Sequence, residues 1–159
     1  MASQAQEMHT LTERIEAAQI IHATLTLSFE ARQKSRQRVQ LDNGEAAALL
    51  LPRGTHLRDG DLLRSADVTH VVQVRAAPEQ VSCVHTSNPQ LLARCCYHLG
   101  NRHVPVQIGD CWLRYLQDSV LDDLVRGLGL QVQKQLAAFE PEAGAYAHGS
   151  AHHQGHAHE

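Results

Sequence analysis

Histidine is the residue whose number and spacing first suggest chemistry. The chain holds 12, and five of them, His148, His152, His153, His156 and His158, fall in the closing stretch AYAHGSAHHQGHAHE. Neutral imidazole is a ligand for nickel, zinc and copper(II), and a run of small and polar residues lets several imidazoles fold around one ion. An affinity tag would be an uninterrupted run. Here Ala, Gly, Gln and Ser intervene, which reads as a natural metal-binding tail. Upstream, His98 and His103 lie about one helical turn and a loop apart in YHLGNRHVPVQI, Tyr97 to Ile108. His9, His22, His56, His70 and His85 stand singly, and a lone histidine is by default a surface or hydrogen-bonded residue.

The cysteines, Cys83, Cys95, Cys96 and Cys111, show no CxxC spacing and no secretory context, so they are expected as reduced thiols. Cys95 and Cys96 are adjacent on a predicted helix and point about 100° apart, which hinders chelation of one ion by both. All four read as small apolar fillers. A hydrolytic metal site would need three protein ligands, an open position and a general base. The chain shows no HExxH, no nucleophile elbow and no phosphate-cradling glycine loop, so it is not expected to be an enzyme.

The elements that must position these residues fall into two predicted domains and a tail. From Leu11 to Ala77 the pattern is of short strands, with alternation over His22–Ser28 and Ser35–Leu41. Asp42-Asn43-Gly44 supplies a turn from which Glu45–Leu51 can pair back as a hairpin. Pro52-Arg53-Gly54 breaks that run, Asp59-Gly60-Asp61 gives another turn, and strands follow near Leu62-Leu63 and Val68–Val74. Residues 9–77 are thus predicted as a small all-β domain.

Beyond Pro78 the period changes. Gln80–His85 reads as a strand, and Asn88-Pro89 as an N-cap followed by proline in the first helical turn. Leu91, Leu92, Cys95 and Leu99 give that helix its apolar face, and Gly100 is predicted to close it. Val104–Ile108 and Cys111–Leu116 read as a hairpin turning at Gly109-Asp110. Asp118 or Ser119 can cap a second helix ending at Gly127 and Gly129, and a last strand is predicted over Leu130–Leu136. The order is βαββαβ, a ferredoxin-like arrangement over residues 78–140 within an α+β chain. Residues 141–159 are too poor in large apolar side chains to offset the entropy of ordering and are expected to be a disordered His-rich tail.

Composition narrows the partners. With 14 Lys plus Arg against 17 Asp plus Glu, the formal charge is -3, and only 4% of residues are aromatic, so neither a basic field nor stacking platforms for nucleic acid exist. There is no apolar run of about 18 residues and no secretory signal, so no membrane partner is expected and the chain is assigned to the cytoplasm. Met8 can serve as a start, with Met1 to Glu7 an extension.

The segment YHLGNRHVPVQI resembles the urease accessory protein UreE family, whose GNRH stretch holds the principal nickel ligand. RYLQDSVLDDLV, from Arg114, is similar to a second stretch of that family. Some members carry further histidines there, where this chain has Gln117 and Ser119, so a secondary surface site is not expected. The resemblance runs from Leu11 to the C-terminus, because those proteins have an N-terminal β-domain, a ferredoxin-like metal-binding domain and often a histidine-rich tail. It implies a homodimer, or a tetramer with metal, in which His103 of each subunit binds a shared Ni(II) at a two-fold interface. His98 is a possible neighbour of that metal, and the tail histidines are further ligands. Implied partners are apo-urease, its other accessory proteins and the GTPase UreG, with the β-domain as a docking surface. A storage protein for nickel, zinc or copper without a dedicated recipient is the alternative. Copper(II) binds most nitrogen sites more tightly than nickel, so Cu(II) and Zn(II) are expected competitors.

Overall fold

The computed structural model describes residues 8–144 of the chain. Its first half comprises β1 (His9–Ile15), β2 (Ala23–Leu27), α1 (Phe29–Arg32), β3 (Arg36–Gln40), β4 (Ala46–Leu50), β5 (Leu62–Ser65) and β6 (Val71–Ala76). The strands form one barrel-like sheet in the order β2-β6-β5-β1-β4-β3. The Asn43-Gly44 turn sets the antiparallel β3–β4 register, Gln40 opposite Ala46, with Gly44 at φ +91°. By contrast β1–β4 and β2–β6 pair in parallel. Leu11, Leu25, Leu49, Leu63 and Val74 are fully buried at the centre, each worth roughly 1.5–3 kcal/mol relative to exposure.

Asp42 ties the two edge strands of this sheet together. Its N–H donates to Thr24 O at 2.9 Å, and the Thr24 and Thr26 hydroxyls donate to its carboxylate at 2.6 and 2.8 Å. The sheet carries one helical turn that the strand pattern did not signal, because the Ser28 hydroxyl accepts the Ala31 N–H at 3.2 Å and starts the four-residue helix α1. One strand boundary is corrected. The strand expected from Val68 begins at Val71, since Asp67 accepts the Thr69 N–H at 3.1 Å and Val68 takes a left-handed conformation, φ +64°.

The second half comprises β7 (Pro78–His85), α2 (Pro89–Asn101), β8 (Gln107–Gly109), β9 (Trp112–Leu116), α3 (Ser119–Gly127) and β10 (Gln133–Ala138). Its sheet is antiparallel throughout, in the order β10-β7-β9-β8. Both helices pack on one face. Val84 from β7 and Leu113 and Tyr115 from β9 meet Cys95 and Leu99 of α2 and Val125 of α3 in a buried cluster. Asp118 caps α3 by accepting the Val120 and Leu121 N–H groups at 2.8 and 3.1 Å, a cap worth about 1 kcal/mol. The buried Asp122 carboxylate accepts the Tyr115 hydroxyl at 2.8 Å, which satisfies both groups away from water.

The two sheets are joined through α1 and the end of β10. Phe29 N–H donates to Glu79 at 2.8 Å, and the Phe29 and Phe139 rings meet edge to face at 5.5 Å. Arg32 is 1% exposed and pairs with Glu140, while its guanidinium also donates to Phe139 O at 2.5 Å. Residues 141–144 depart from the disorder expected of the tail. Pro141 is buried, its carbonyl accepts from Arg58 at 2.7 Å, and Glu142 N–H donates to Val106 O at 2.8 Å.

Candidate metal centre

Helix α2 carries the segment that the sequence marks for metal. It begins as expected, with the Asn88 side chain accepting the Gln90 and Leu91 N–H groups, each at 3.1 Å. It ends differently. Gly100 remains helical, Asn101 is the last helical residue, and the left-handed cap is His103 itself, at φ +58°. His103 N–H donates to Gly100 O at 2.9 Å and Val104 N–H to Leu99 O at 3.2 Å, the paired bonds of a Schellman cap. Val104 then packs against the cluster holding Leu99, and Pro105 restricts the residue before it to extended backbone.

The consequence is a histidine clamped on both sides by backbone geometry, with its own side chain exposed. A non-glycine residue in this conformation costs roughly 1–2 kcal/mol, less for histidine, which is enriched there. Asn101 and Arg102 beside it are exposed. A Cβ added at Gly100 would meet nothing within 4 Å, so packing within the chain does not require a glycine there. Its absence leaves the surface one turn before His103 bare.

His98 is half-buried and its ring lies edge to face with Tyr97 at 5.3 Å. His148, His152, His153, His156 and His158 lie outside the described residues. The last described part of the tail comes close to the centre, because the Glu142 bond to Val106 fixes the chain three residues along from His103. Among the described residues, no three His, Cys, Asp or Glu side chains converge to hold an ion within one chain. Gln117 and Ser119 are exposed at the start of α3.

The cysteines follow the filler reading in three places and depart from it in one. Cys83 and Cys95 are buried and Cys96 is half-buried, whereas Cys111 is exposed on a left-handed turn at φ +60°. Burial pushes the Cys95 thiol up to about 11, with the neighbouring Cys96 adding to it, and burial raises Cys83 and Cys96 as well. Thiolate is therefore scarce at neutral pH on all three. Labelling the native protein with a thiol-reactive dye at about pH 7.5 should give about one fast-reacting thiol per chain, abolished in Cys111→Ser. Fast reaction of two or more would contradict the burial.

Sequence reading gave His9, His22 and His70 ordinary separate roles. The structure brings them together, with ring centroids of His9 and His70 at 3.9 Å and of His22 and His70 at 5.0 Å. No spacing in the sequence signals this, because the three lie at the starts of β1, β2 and β6, which only the strand order of the sheet brings to one end.

A barrel-like sheet joined to a second sheet with two helices on one face defines a two-domain α+β protein, here with an exposed histidine fixed on a left-handed turn. The chain matches the UreE urease accessory protein N-terminal domain over residues 4–77 and the C-terminal domain of the same family over residues 79–159. It is 57% identical over 139 residues to a urease accessory protein UreE of Pseudomonas putida strain W619, covering 87% of this chain and 86% of that protein. The UreE of Alkalilimnicola ehrlichii is 58% identical, with 87% and 85% covered, and that of Citrobacter koseri 54%, with 93% and 98% covered. The chain belongs to the UreE urease accessory protein family. That family is one of accessory proteins, and this chain is not an enzyme. Among the described residues, no helix is long and apolar enough to cross a membrane.

Proposed function

We propose that this protein is a cytoplasmic nickel metallochaperone that hands Ni(II) to apo-urease during urease maturation. It works as a homodimer, or as a tetramer with metal, in which His103 of each subunit binds a shared ion and the tail histidines supply further ligands. The observation that carries the reading is the exposed imidazole of His103 held on a rigid left-handed cap. Such a residue presents one ligand from each chain with little freedom to lose on binding, and two-fold symmetry makes one residue into two ligands. The bare surface at Gly100 suits close approach of a second copy. The strand order β10-β7-β9-β8 within βαββαβ supports a ferredoxin-like second domain, residues 78–140. The names of the relatives support a place in urease maturation, and on that reading the partners are apo-urease, its accessory proteins and UreG, with the 9–77 domain as docking surface.

Imidazole sites suit the task because transfer requires release, and thiolates would hold zinc or copper(I) more firmly. The test is nickel titration calorimetry with light scattering on intact protein, His103→Ala and a chain cut after Tyr146. The expected result is loss of the tightest event in His103→Ala and loss of only weaker, additional ions on truncation. Unchanged binding in His103→Ala would leave the tail as sole metal holder and make storage of nickel, zinc or copper the function. Imidazole binds metal only when deprotonated, so affinity is also expected to fall as the pH drops from about 7.5 to about 5.5. Constant affinity across that interval would rule out histidine ligation.

A further inference from the structure

We infer that the outer edge of β3 is a docking site for an extended, acidic segment of a partner protein, which joins the sheet there as a further strand. The inference rests on the docking role proposed for the 9–77 domain and gives that docking a place and a chemistry. β3 borders the barrel-like sheet and pairs only with β4. Leu41 N–H donates to Glu45 O at 2.8 Å and Leu51 N–H to Ser35 O at 2.9 Å, so the odd-numbered residues bond across this hairpin. Antiparallel pairing alternates, which makes Gln37 with Leu49 and Val39 with Ala47 the bonded pairs between them. Arg36, Arg38 and Gln40 therefore turn their N–H and C=O groups outward. Among the described residues no strand takes them up, because the clasp to β2 is made by Asp42, past the end of β3.

The side chains along an open edge decide what can join it. Arg36 and Arg38 share the exposed face of the strand two residues apart, which spaces them about 7 Å along it. Arg53 is exposed just beyond, since the Leu51 bond to Ser35 lays the turn after β4 beside the start of β3. None of these three has a carboxylate partner among the described residues, whereas Arg14, Lys34 and Arg64 of the same domain pair with Asp61, Glu30 and Glu13. Unpaired cations gathered on one edge are a local exception in a chain of formal charge -3.

That charge chooses the occupant. Two copies of β3 brought edge to edge would set arginines against arginines, and like charges opposite each other on a sheet repel. A strand with carboxylates at every second position sets its acids beside Arg36 and Arg38 on one face. Backbone hydrogen bonds then supply the affinity and the arginines the selection, as in other cases where a peptide extends a sheet.

The test uses the full chain without metal and synthetic peptides of about ten residues in which Glu alternates with Thr and Val. Without peptide, amide hydrogen exchange should be fast at Arg36, Arg38 and Gln40 and slow at Gln37 and Val39. Saturating peptide should slow the first three at least about tenfold and leave the other two unchanged. In fluorescence anisotropy, methylating one alternate set of peptide amide nitrogens should weaken binding at least about tenfold, and methylating the other set should not. The sensitive set gives the sense of the added strand. Arg36→Glu with Arg38→Glu should weaken binding at least about tenfold and leave nickel titration as in wild type.

Unchanged exchange at saturating peptide would overturn the proposal. So would binding indifferent to both methylations, which is charge contact alone. Slow exchange at Arg36, Arg38 and Gln40 without peptide would overturn it as well, since this protein or a second copy then fills the edge. If the double variant fails to fold, exchange and methylation on the wild-type chain decide. None of these outcomes involves His103 or metal, so this docking site and the nickel reading stand or fall separately.

Discussion

Replacing His103 by glycine is expected to abolish the tightest nickel binding while making the fold more stable. The two effects come from different parts of the residue. Removing the imidazole should weaken nickel by at least about 100-fold, because outer-shell partners of a ligand alone are worth 10–100-fold. Removing the Cβ relieves the left-handed strain at φ +58°, and the expected gain is about 0.5–1 kcal/mol after the extra entropy of unfolded glycine is subtracted. His103→Ala loses the imidazole and keeps the strain, so its unfolding free energy should lie below that of the glycine variant. Urea unfolding of the metal-free proteins measures the difference. A glycine variant no more stable than wild type would mean that His103 makes compensating contacts and that no strain is stored there.

The second large effect is expected at Glu140. Its carboxylate meets Arg32, which is 1% exposed, as well as Arg58 at 3.4 Å and the Asp59 N–H at 3.1 Å. In Glu140→Ala the Arg32 guanidinium stays buried with only the Leu27 and Phe139 carbonyls as partners. Breaking a buried pair by removing one member costs about 3–5 kcal/mol. The Glu140 side chain is 23% exposed, so a loss near the lower end, about 3 kcal/mol, is expected. Glu140→Gln, which keeps an acceptor, should lose less than half of that. Chemical denaturation decides, and a loss under about 1 kcal/mol in the alanine variant would show that water replaces the carboxylate.

Local signals in the sequence carried as far as local physics reaches. Asn88-Pro89, Asp118 and Asn43-Gly44 each act through hydrogen bonds or φ preferences within a few residues, and each starts or turns the chain where read. The end of α2 misled because Gly100 is the residue type that usually supplies a left-handed cap, whereas the cap formed by burying Val104 against Leu99 falls on His103. The strand expected from Val104 shortened to Gln107–Gly109 for the same reason, since the cap and Pro105 occupy its first residues. The parallel pairs β1–β4 and β2–β6 join segments far apart in sequence, and nothing local encodes them. The Arg32–Glu140 pair was equally hidden, because an arginine in a basic stretch reads as a solvated charge until a distant carboxylate covers it. GNRH stood out only by its resemblance to a family, while the meeting of His9 and His70 depended on strand order alone.

The Asp42 clasp has a bearing on how copies of this chain meet. A sheet edge with free N–H and C=O groups is a template for adding strands from other molecules. Here the edge strands β2 and β3 are fastened to each other through Asp42 and the two threonines. In the second sheet one edge, β8, is three residues long, and the other, β10, carries Lys134. Every border is closed, short or charged, so strand-by-strand polymerisation finds little purchase. Association between copies is thereby steered to side chains and helix ends, where an assembly can come apart again.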